Sequence, residues 1–571
     1  MRQGHRGCVR RESIKVTGVD AIECGATVSR AYSFALQIFV QDNADRCQAD
    51  TFPGPDLVLG QTWERHETLD RDGIMNLYWT PNLESGEITF ELHAKTQGWA
   101  GLGFSANGAM TGSDVVVGWI KDGQTYFTDR HAVGNELSLV DESQDYELLF
   151  SSEGEEGLIL RFKRLFDTCD ENDFYITSDT WSLIYAYGET DPDGEDPFHE
   201  GRDHRVPSMG NGWKRRIRGP FEVDGFTLNE GEEEVFEQFM QNYPHGSSCF
   251  DPDISYLIGK CQSVLQGWAV SGVGEKYPEH AGYPLRPDSE GPTYYRMEMH
   301  YNNPQLIDDI HDESGLTIYY TDNLRTYDMG TIVFGSRVVY TELVPPGLGD
   351  FMTVGHCPGE CTEMFIPPEG IHIFSGLLHS HLLGRKMRAR IFRDGEELPW
   401  IFHDEHYDSD FQQSRILREE FLLLPGDHIT VECDLDSSER EDVTLGGLTD
   451  NDEMCEFFVM YYPRVELNHC SSTMEYQFFH TLFELGGVHL NTETLNWELD
   501  GTNQILQEHF RGFDWENFDV EAYQEAVRFS PQQGTCGGVS YFLEVKDVTF
   551  PEYENDYIPP PRKCPVGNSD P

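Results

Sequence analysis

The chain has 571 residues and a mass of 65.3 kDa, which is too large for one hydrophobic core and suggests about four domains. Its 41 Lys and Arg residues oppose 100 Asp and Glu residues, so the formal net charge is −59. Such a chain lacks the cationic surface that binds nucleic acid or anionic lipid, which argues against both partners. The 38% of hydrophobic residues exclude wholesale disorder, and 55 Gly with 29 Pro favour β architecture rich in turns.

Residues 1–60 are predicted to be a poorly ordered leader. A signal peptide starts with basic residues and continues into an apolar run. Here Met1–Arg30 is polar throughout, and the one apolar stretch, Ala31–Val40, is short and interrupted by Gln37. The chain therefore has no clear signal peptide. No segment reaches the roughly 18 apolar residues of a membrane span, so no span is expected.

Thirteen cysteines are spread singly along the chain, without the paired CxxC or HxxxH motifs of a structural zinc site. Disulfides are the better interpretation. Because disulfides persist in oxidising compartments, they predict that the protein is located in the secretory pathway, in a secretory vesicle or outside the cell. The odd count leaves at least one thiol without an intramolecular partner.

From Ile74 onward, short segments of alternating polarity bounded by turn residues predict a β-sandwich. The predicted strands are Asn76–Trp79, Glu87–His93, Asp114–Ile120, Gln124–Thr128, Tyr146–Leu149, Leu158–Phe162 and Trp181–Tyr187. Together with Gly101–Ser105 this segment resembles a DOMON domain, a small β-sandwich often found beside redox enzymes. We place that domain at 61–190, with an acidic, Gly-rich linker at 191–220. Asp114 is interpreted as a buried carboxylate that stabilises a turn; a cation site formed by Asp114 and backbone carbonyls is the alternative that stays open.

Two more β-rich segments and a mixed C-terminal tail are expected after the linker, at 221–336, 337–488 and 489–571. Their predicted strands are Tyr294–Tyr301, Leu316–Tyr320, Thr331–Tyr340 (across the boundary), Ile371–Leu378, Met387–Phe392 and His428–Cys433. The tail contains one predicted helix, Val520–Phe529.

His379-Ser380-His381 follows the largely apolar run Ile371–Leu378. Residues two apart on a strand face the same side, so both imidazoles would project together, as a metal site requires. The alternative is an incidental pair of surface histidines, which the apolar context disfavours. A cupin site would add a Glu ligand a few residues later, and none follows here.

Met454 is the better partner for the two imidazoles. Two imidazoles and a thioether form a mixed soft donor set that suits copper cycling between Cu(I) and Cu(II) and disfavours magnesium, calcium or zinc. A lone methionine is usually a core residue, so Met454 gains meaning only from its neighbours.

Several long motifs in one order resemble the copper type II, ascorbate-dependent monooxygenases. They are Gly370–Arg388, Tyr295–Pro304, Gly315–Tyr320, Asp452–Cys455 and Tyr461–Pro463. The preceding DOMON segment narrows the resemblance, which covers about 65–565, to the dopamine β-hydroxylase-like branch. It implies an all-β chain: a DOMON β-sandwich, two packed antiparallel jelly rolls and a mixed C-terminal tail.

The resemblance also implies two copper sites. The catalytic copper, which reacts with dioxygen, has two His ligands and one Met ligand, matched here by His379, His381 and Met454. The second copper has three His ligands and relays electrons from ascorbate. One of those three is matched by His300.

The chain departs from the family at the second copper. The family places an adjacent His pair in the first jelly roll, yet no two of the 21 histidines are adjacent. The segment that should carry this pair is missing between Pro220 and Cys249, so the first jelly roll is expected to be truncated. His300 alone lacks the chelation that makes a site.

The resemblance further implies four disulfides. These are Cys357–Cys470, Cys361–Cys536, Cys433–Cys455 and Cys169–Cys564. It leaves the pairing of five cysteines open, namely Cys8, Cys24, Cys47, Cys249 and Cys261.

The resulting hypothesis is a secreted copper- and ascorbate-dependent monooxygenase that hydroxylates a small substrate, with an aromatic amine as one candidate. Leu377 and Phe458 stand where the peptide-amidating branch has an Arg and a Tyr, which argues against peptide amidation. Two alternatives stay open: a single-copper isoform or pseudoenzyme that acts as a binding protein, and an incomplete gene model of the active enzyme. A homo-oligomer formed through the DOMON domain or the tail is also left open.

Overall fold

In the computed structural model, side chains are described for 63–192 (except 71, 107 and 135–137), for 277–283, and for 323–560 (except 450, 492–495 and 539–541). Backbone strands are also described at Arg10–Arg11, Arg30–Leu36, Phe221–Thr227, Ser247–Ser248, Val264–Trp268, Thr293–Tyr301 and Tyr319–Tyr320. The chain forms two compact units, Met1–Gln48 with Arg216–Ile558 and Ala49–Arg215 with Pro559–Pro571. Both are built mainly of antiparallel sheets, which confirms the predicted all-β class; Gly330–Ser336 and His469–Met474 are a parallel pair within one of them.

The second unit contains a sandwich of two five-stranded antiparallel sheets. In spatial order, the first sheet contains Glu147–Gly154, Gly157–Leu165, Glu87–Ala94, Met75–Asn82 and Arg65–Thr68; the second contains Ser182–Tyr187, Trp99–Ser105, Asp114–Lys121, Gln124–His131 and Leu139–Val140. Phe90 and Phe162 of the first sheet lie 5.5 Å apart, and Phe104 of the second lies 5.3 Å from Phe90. This aromatic core is what the alternating strand pattern predicts.

Asp114 is a buried structural carboxylate in this sandwich. Its side chain is 1% exposed and is ion-paired with Arg164, which is also buried. It accepts hydrogen bonds from the Tyr146 hydroxyl at 2.8 Å and from the Phe174 N–H at 3.0 Å. Partners of this kind satisfy the carboxylate inside the core.

The first jelly-roll region contains a five-stranded antiparallel sheet that includes part of the expected leader. Arg30–Leu36 pairs with Thr293–Tyr301, which pairs on its other side with Phe221–Thr227. The structure thus describes one strand of this sheet within the predicted leader. The backbone groups of Arg30–Leu36 pair with those of Thr293–Tyr301, which would otherwise lack hydrogen-bond partners on that side of the strand. The rest of the leader, other than Arg10–Arg11, lies outside the described residues.

The second jelly roll consists of a seven-stranded and a five-stranded sheet. In spatial order the seven-stranded sheet contains Arg415–Leu423, Ile371–Ser380, Cys455–Tyr462, Gly330–Ser336, His469–Met474, Gln532–Gly537 and Phe542–Val548. The five-stranded sheet contains Phe351–Cys357, His428–Leu435, Gly384–Arg393, Glu396–Glu397 and Phe402–Asp404. Phe457 and Phe402 meet between the sheets with ring centroids 4.9 Å apart.

Shorter elements complete the described chain. Among the described residues, four two-stranded sheets pair Arg10–Arg11 with Tyr319–Tyr320, Ala281–Gly282 with Tyr327–Asp328, Leu343–Val344 with Thr444–Leu445, and Val488–Leu490 with Trp497–Leu499. The helices are Gly359–Phe365, Tyr476–Leu482, Leu506–Phe510 and Val520–Phe529. The last has the predicted bounds, and the Asp519 carboxylate caps it by accepting from the Ala522 N–H at 3.0 Å.

Two expected boundaries differ from the structure. The strand predicted at Thr331–Tyr340 is Gly330–Ser336 and lies in the second jelly roll, not across the boundary at 336. A turn in which the Glu342 N–H donates to the Val339 carbonyl follows this strand. Gln532–Gly537 and Phe542–Val548 extend the same sheet, so much of the expected tail belongs to this domain.

Three buried disulfides fasten the second jelly roll. They are Cys357–Cys470, Cys361–Cys536 and Cys433–Cys455, with Cα–Cα distances of 5.1, 6.1 and 5.9 Å. These pairs are the ones that the resemblance implies. Cys169 is also disulfide-bonded. Its expected partner Cys564 lies outside the described residues, as do the five cysteines whose pairing was left open.

No helix in the described parts of the chain is long and apolar enough to cross a membrane.

A buried pair of histidines lies in the five-stranded sheet. His356 Nδ1 and His428 Nε2 are 3.2 Å apart, and both side chains are buried. Burial, together with the proximity of His428 and Arg390, holds the pKa of His356 well below its ordinary value. Burial lowers the pKa of His428 to about 4. Both rings are therefore neutral in the folded protein near neutral pH.

We predict that this pair makes the second jelly roll sensitive to acid. Between pH 6.5 and about 4, the unfolded chain protonates His428 but the folded chain does not. The free energy of unfolding therefore falls over this window, by about 1.4 kcal/mol per pH unit for each such ring. Chemical denaturation of His428→Leu should show a shallower loss of stability between these pH values than the parent.

The matched control is His489→Gln, at a ring whose side chain is 45% exposed. This variant should keep the acid dependence of the parent. An unchanged dependence in His428→Leu would contradict the role of the buried pair.

Candidate metal centre

The structure brings His379 and His381 together at the end of one strand. Ile371–Ser380 is the second strand of the seven-stranded sheet, and His381 follows it directly. The two side chains are 8% and 9% exposed, and their ring centroids are 5.3 Å apart at an interplanar angle of 85°. Such a pair could ligate one ion from two directions.

Hydrogen bonds fix the tautomer of each imidazole. His379 Nδ1 lies 2.6 Å from Gln412 Oε1, and Gln412 Nε2 donates to the Ser409 carbonyl at 2.8 Å. The Gln412 amide oxygen can only accept a hydrogen bond, so His379 Nδ1 must carry the proton that it donates. His381 Nδ1 donates to the Asp452 carbonyl at 3.0 Å. Both rings would therefore bind a metal through Nε2.

Ser380, between the two histidines, is held by Tyr407. The buried Tyr407 hydroxyl donates to the Ser380 carbonyl at 2.7 Å and accepts from the Ser380 N–H at 2.8 Å. Burial raises the pKa of this hydroxyl well above its ordinary value, so it stays protonated and keeps its donor. The strand end that carries both rings is thereby fixed on its inner side.

Met454 directly precedes the neighbouring strand and is 8% exposed. That strand, Cys455–Tyr462, pairs with Ile371–Ser380 so that Ser380 lies opposite Cys455. The Glu453 carboxylate accepts from the N–H groups of both His381 and Met454, at 2.5 and 2.8 Å. The backbone of the predicted third ligand thus lies beside the histidine pair. Two Nε2 donors, together with a thioether from Met454, would fit the donor set of a copper site.

The Asp452 side chain orders the loop in front of Met454. Its carboxylate accepts from the Thr449 N–H at 3.1 Å and from the Thr449 hydroxyl at 2.8 Å. Burial raises the pKa of Asp452. This turn aims the Asp452 carbonyl at His381 Nδ1.

His300 lies in a different sheet, on Thr293–Tyr301, and its ring is outside the described side chains. The register places Ala31 opposite it, and neither neighbouring strand, Arg30–Leu36 nor Phe221–Thr227, contains a histidine. The described strands therefore offer no second imidazole beside His300 on this sheet.

Sequence reasoning missed three residues that support the candidate ligands: Tyr407, Gln412 and Glu453. Glu453 lies within the quoted motif Asp452–Cys455, so the motif gave a signal for it. No local pattern marks Tyr407 or Gln412, because they reach Ser380 and His379 only through the fold of the 402–415 connection.

Family models match three parts of the chain. A DOMON domain matches residues 71–188. The N-terminal domain of copper type II ascorbate-dependent monooxygenase matches residues 234–308, and the C-terminal domain of the same family matches residues 327–483.

Similar proteins match between 72% and 89% of the chain. DBH-like monooxygenase protein 1 of Mus musculus is 32% identical over 466 residues, covering 72% of this chain and 75% of the relative. The Homo sapiens protein of that name is 29% identical, covering 89% and 92%. Dopamine beta-hydroxylase of Bos taurus is 28% identical, covering 88% and 90%. The chain belongs to the copper type II, ascorbate-dependent monooxygenase family, in its dopamine β-hydroxylase-like branch.

Proposed function

We propose that this chain binds copper through His379, His381 and Met454 and, with ascorbate and dioxygen, hydroxylates a small substrate. The observation that carries the proposal is the convergence of two buried imidazoles, each with its Nδ1 engaged, beside the backbone of a buried methionine. Bound copper would supply one-electron redox chemistry and reaction with dioxygen, which the side chains of this site lack.

The residues of the site have separate roles in this proposal. Gln412 and the Asp452 carbonyl would hold the two rings in the ligating tautomer, and a basic imidazole binds copper better when its other nitrogen donates a hydrogen bond. Tyr407 would keep the strand end rigid. Low exposure of both rings would keep bulk water from the reacting centre.

A cavity on the face of the sheet that carries His379 supports a small substrate. It has a volume of about 420 Å³ and is lined by apolar residues such as Val333, Phe458 and Phe542, with Glu456 and His469 among the few charged or titratable ones. Phe458 also faces the His379 ring at 6.1 Å. Glu456 pairs directly with His379 across the strands, so both lie on one face of the sheet. A compact, mostly apolar molecule with a polar group suits such a cavity.

The second candidate function is a binding protein that holds one copper and lacks the electron relay. It is favoured by the missing adjacent histidine pair and by Ala31 opposite His300. An incomplete gene model that omits the segment with the histidine pair would give the same sequence. In that case the complete protein would carry the pair, and the enzyme proposal would still hold.

We also propose that the chain acts in the secretory pathway, in a vesicle or outside the cell. The buried disulfides support this location, because reducing compartments do not maintain such bonds. Assembly into a homo-oligomer stays a prediction.

The copper site is tested by metal titration of the purified chain. We expect one tight copper equivalent, which His379→Ala should abolish and Met454→Ile should weaken, because each removes one of three donors and the imidazole is the stronger one. His372→Ala, on the same strand, and Met460→Ile, on the neighbouring strand, are the matched controls and should retain it. Two tight equivalents in the parent would show that a relay site exists.

The role of Gln412 is tested by the pair Gln412→Leu and Gln413→Leu. Gln412→Leu removes the acceptor that fixes His379 and should weaken copper binding about 10- to 100-fold. The neighbouring change, Gln413→Leu, should leave the dissociation constant unchanged. Equal constants for both variants would refute the tautomer argument.

Enzyme and binding protein are distinguished by oxygen uptake. If the chain is a monooxygenase, the copper-loaded protein should consume dioxygen with ascorbate and a small aromatic amine, and His379→Ala should not. Tight binding of one copper equivalent without ascorbate-dependent uptake would favour the binding protein.

A further inference from the structure

The Glu453 carboxylate is fully buried on the inner side of the candidate metal centre. Its Oε1 accepts from the Ser380 hydroxyl at 2.9 Å, from the His381 N–H at 2.5 Å and from the Met454 N–H at 2.8 Å. Its Oε2 accepts from the Leu383 N–H at 3.0 Å. Four donors surround an acceptor-only group, which is what a buried carboxylate needs in place of water.

These donors come from two separate parts of the chain. Ser380, His381 and Leu383 belong to the strand end that carries the histidines, and Met454 lies more than 70 residues later. One rigid side chain therefore joins the backbone on both sides of the candidate site. The bond from His381 Nδ1 to the Asp452 carbonyl runs parallel to this link.

The backbone of Glu453 is itself fixed. Its N–H donates to the Leu445 carbonyl at 3.0 Å, and its carbonyl accepts from the Gly447 N–H at 3.3 Å. The carboxylate has no Lys or Arg ion pair among the described residues, so its four hydrogen bonds all serve the two ligand segments. A buried carboxylate that is stabilised only by charge neutralisation pairs with a Lys or Arg side chain. The Glu453 carboxylate instead accepts hydrogen bonds that align the backbone of the two ligand segments.

We propose that Glu453 is a positioning residue that holds Met454 at ligating distance from His379 and His381; this rests on the proposed function. A thioether is a weak, neutral ligand on a flexible side chain, so its contribution depends on being delivered in place. The imidazoles bind copper more strongly and need this help less. Loss of the link should therefore remove the sulfur ligand before it removes the nitrogen ligands.

The test uses copper(I) binding and X-ray absorption on the full chain, compared for Glu453→Gln, Glu453→Asp and Ser380→Ala. Glu453→Gln turns an amide N–H₂ toward one donor set, Glu453→Asp is one methylene too short, and Ser380→Ala removes a single hydrogen bond without changing Glu453. In all three variants we expect the copper–sulfur signal to be lost or weakened while the copper–imidazole signal persists. The copper(I) affinity should fall about 10- to 100-fold in both Glu453 variants, and less in Ser380→Ala.

The matched control is Glu342→Gln. Glu342 is another buried carboxylate of this domain, and neither of its oxygens accepts from a ligand segment in the described structure. This variant should keep the sulfur signal and the affinity, whereas a general effect of altering a buried carboxyl group would appear in it as well.

The outcomes separate the two proposals. A parent protein that binds copper without a sulfur signal overturns the ligand role of Met454 and with it the proposed site. A parent with a sulfur signal that persists at full strength and affinity in folded Glu453→Gln and Ser380→Ala overturns the positioning role alone. If the Glu453 variants do not fold, Ser380→Ala decides by the same readout.

Discussion

The pairing of Ile371–Ser380 with Cys455–Tyr462 is the constraint on which the candidate site depends. Its register sets Ser380 opposite Cys455 and His379 opposite Glu456. Because side chains alternate along a strand, this register places Ser380 and Cys455 on the core face of the sheet and His379 and Glu456 on the opposite face. A slip of one residue would turn His379 inward and separate the histidines from Met454.

Two kinds of link hold this register at the site. The Cys433–Cys455 disulfide fastens the start of the second strand to the facing sheet, one residue from Met454. Inside the site, Glu453 and Tyr407 satisfy backbone groups that the sheet leaves unpaired where it ends. Covalent and polar links thus act at one end of the strand pair, where alignment matters for a metal site.

The family pattern is preserved unevenly along the chain. The C-terminal copper domain has its motifs, its disulfides and a site with buried, hydrogen-bonded imidazoles. The N-terminal copper domain lacks an adjacent histidine pair, and the strand Arg30–Leu36 pairs with the strand that carries His300. Strands pair through backbone groups, whereas copper binding needs particular side chains. The N-terminal domain can therefore keep its sheet pairing without keeping a copper site.

The sequence by itself determined the all-β class, the DOMON strands, the helix Val520–Phe529 and the pair His379 and His381. Each follows from local periodicity or from a motif, which a short stretch of chain encodes. It could not determine that Gly330–Ser336 and Gln532–Gly537 share a sheet with the site, or that Gln412 fixes the tautomer of His379. Only the tertiary structure decided these, because such contacts join residues far apart in sequence and depend on how sheets pair and pack.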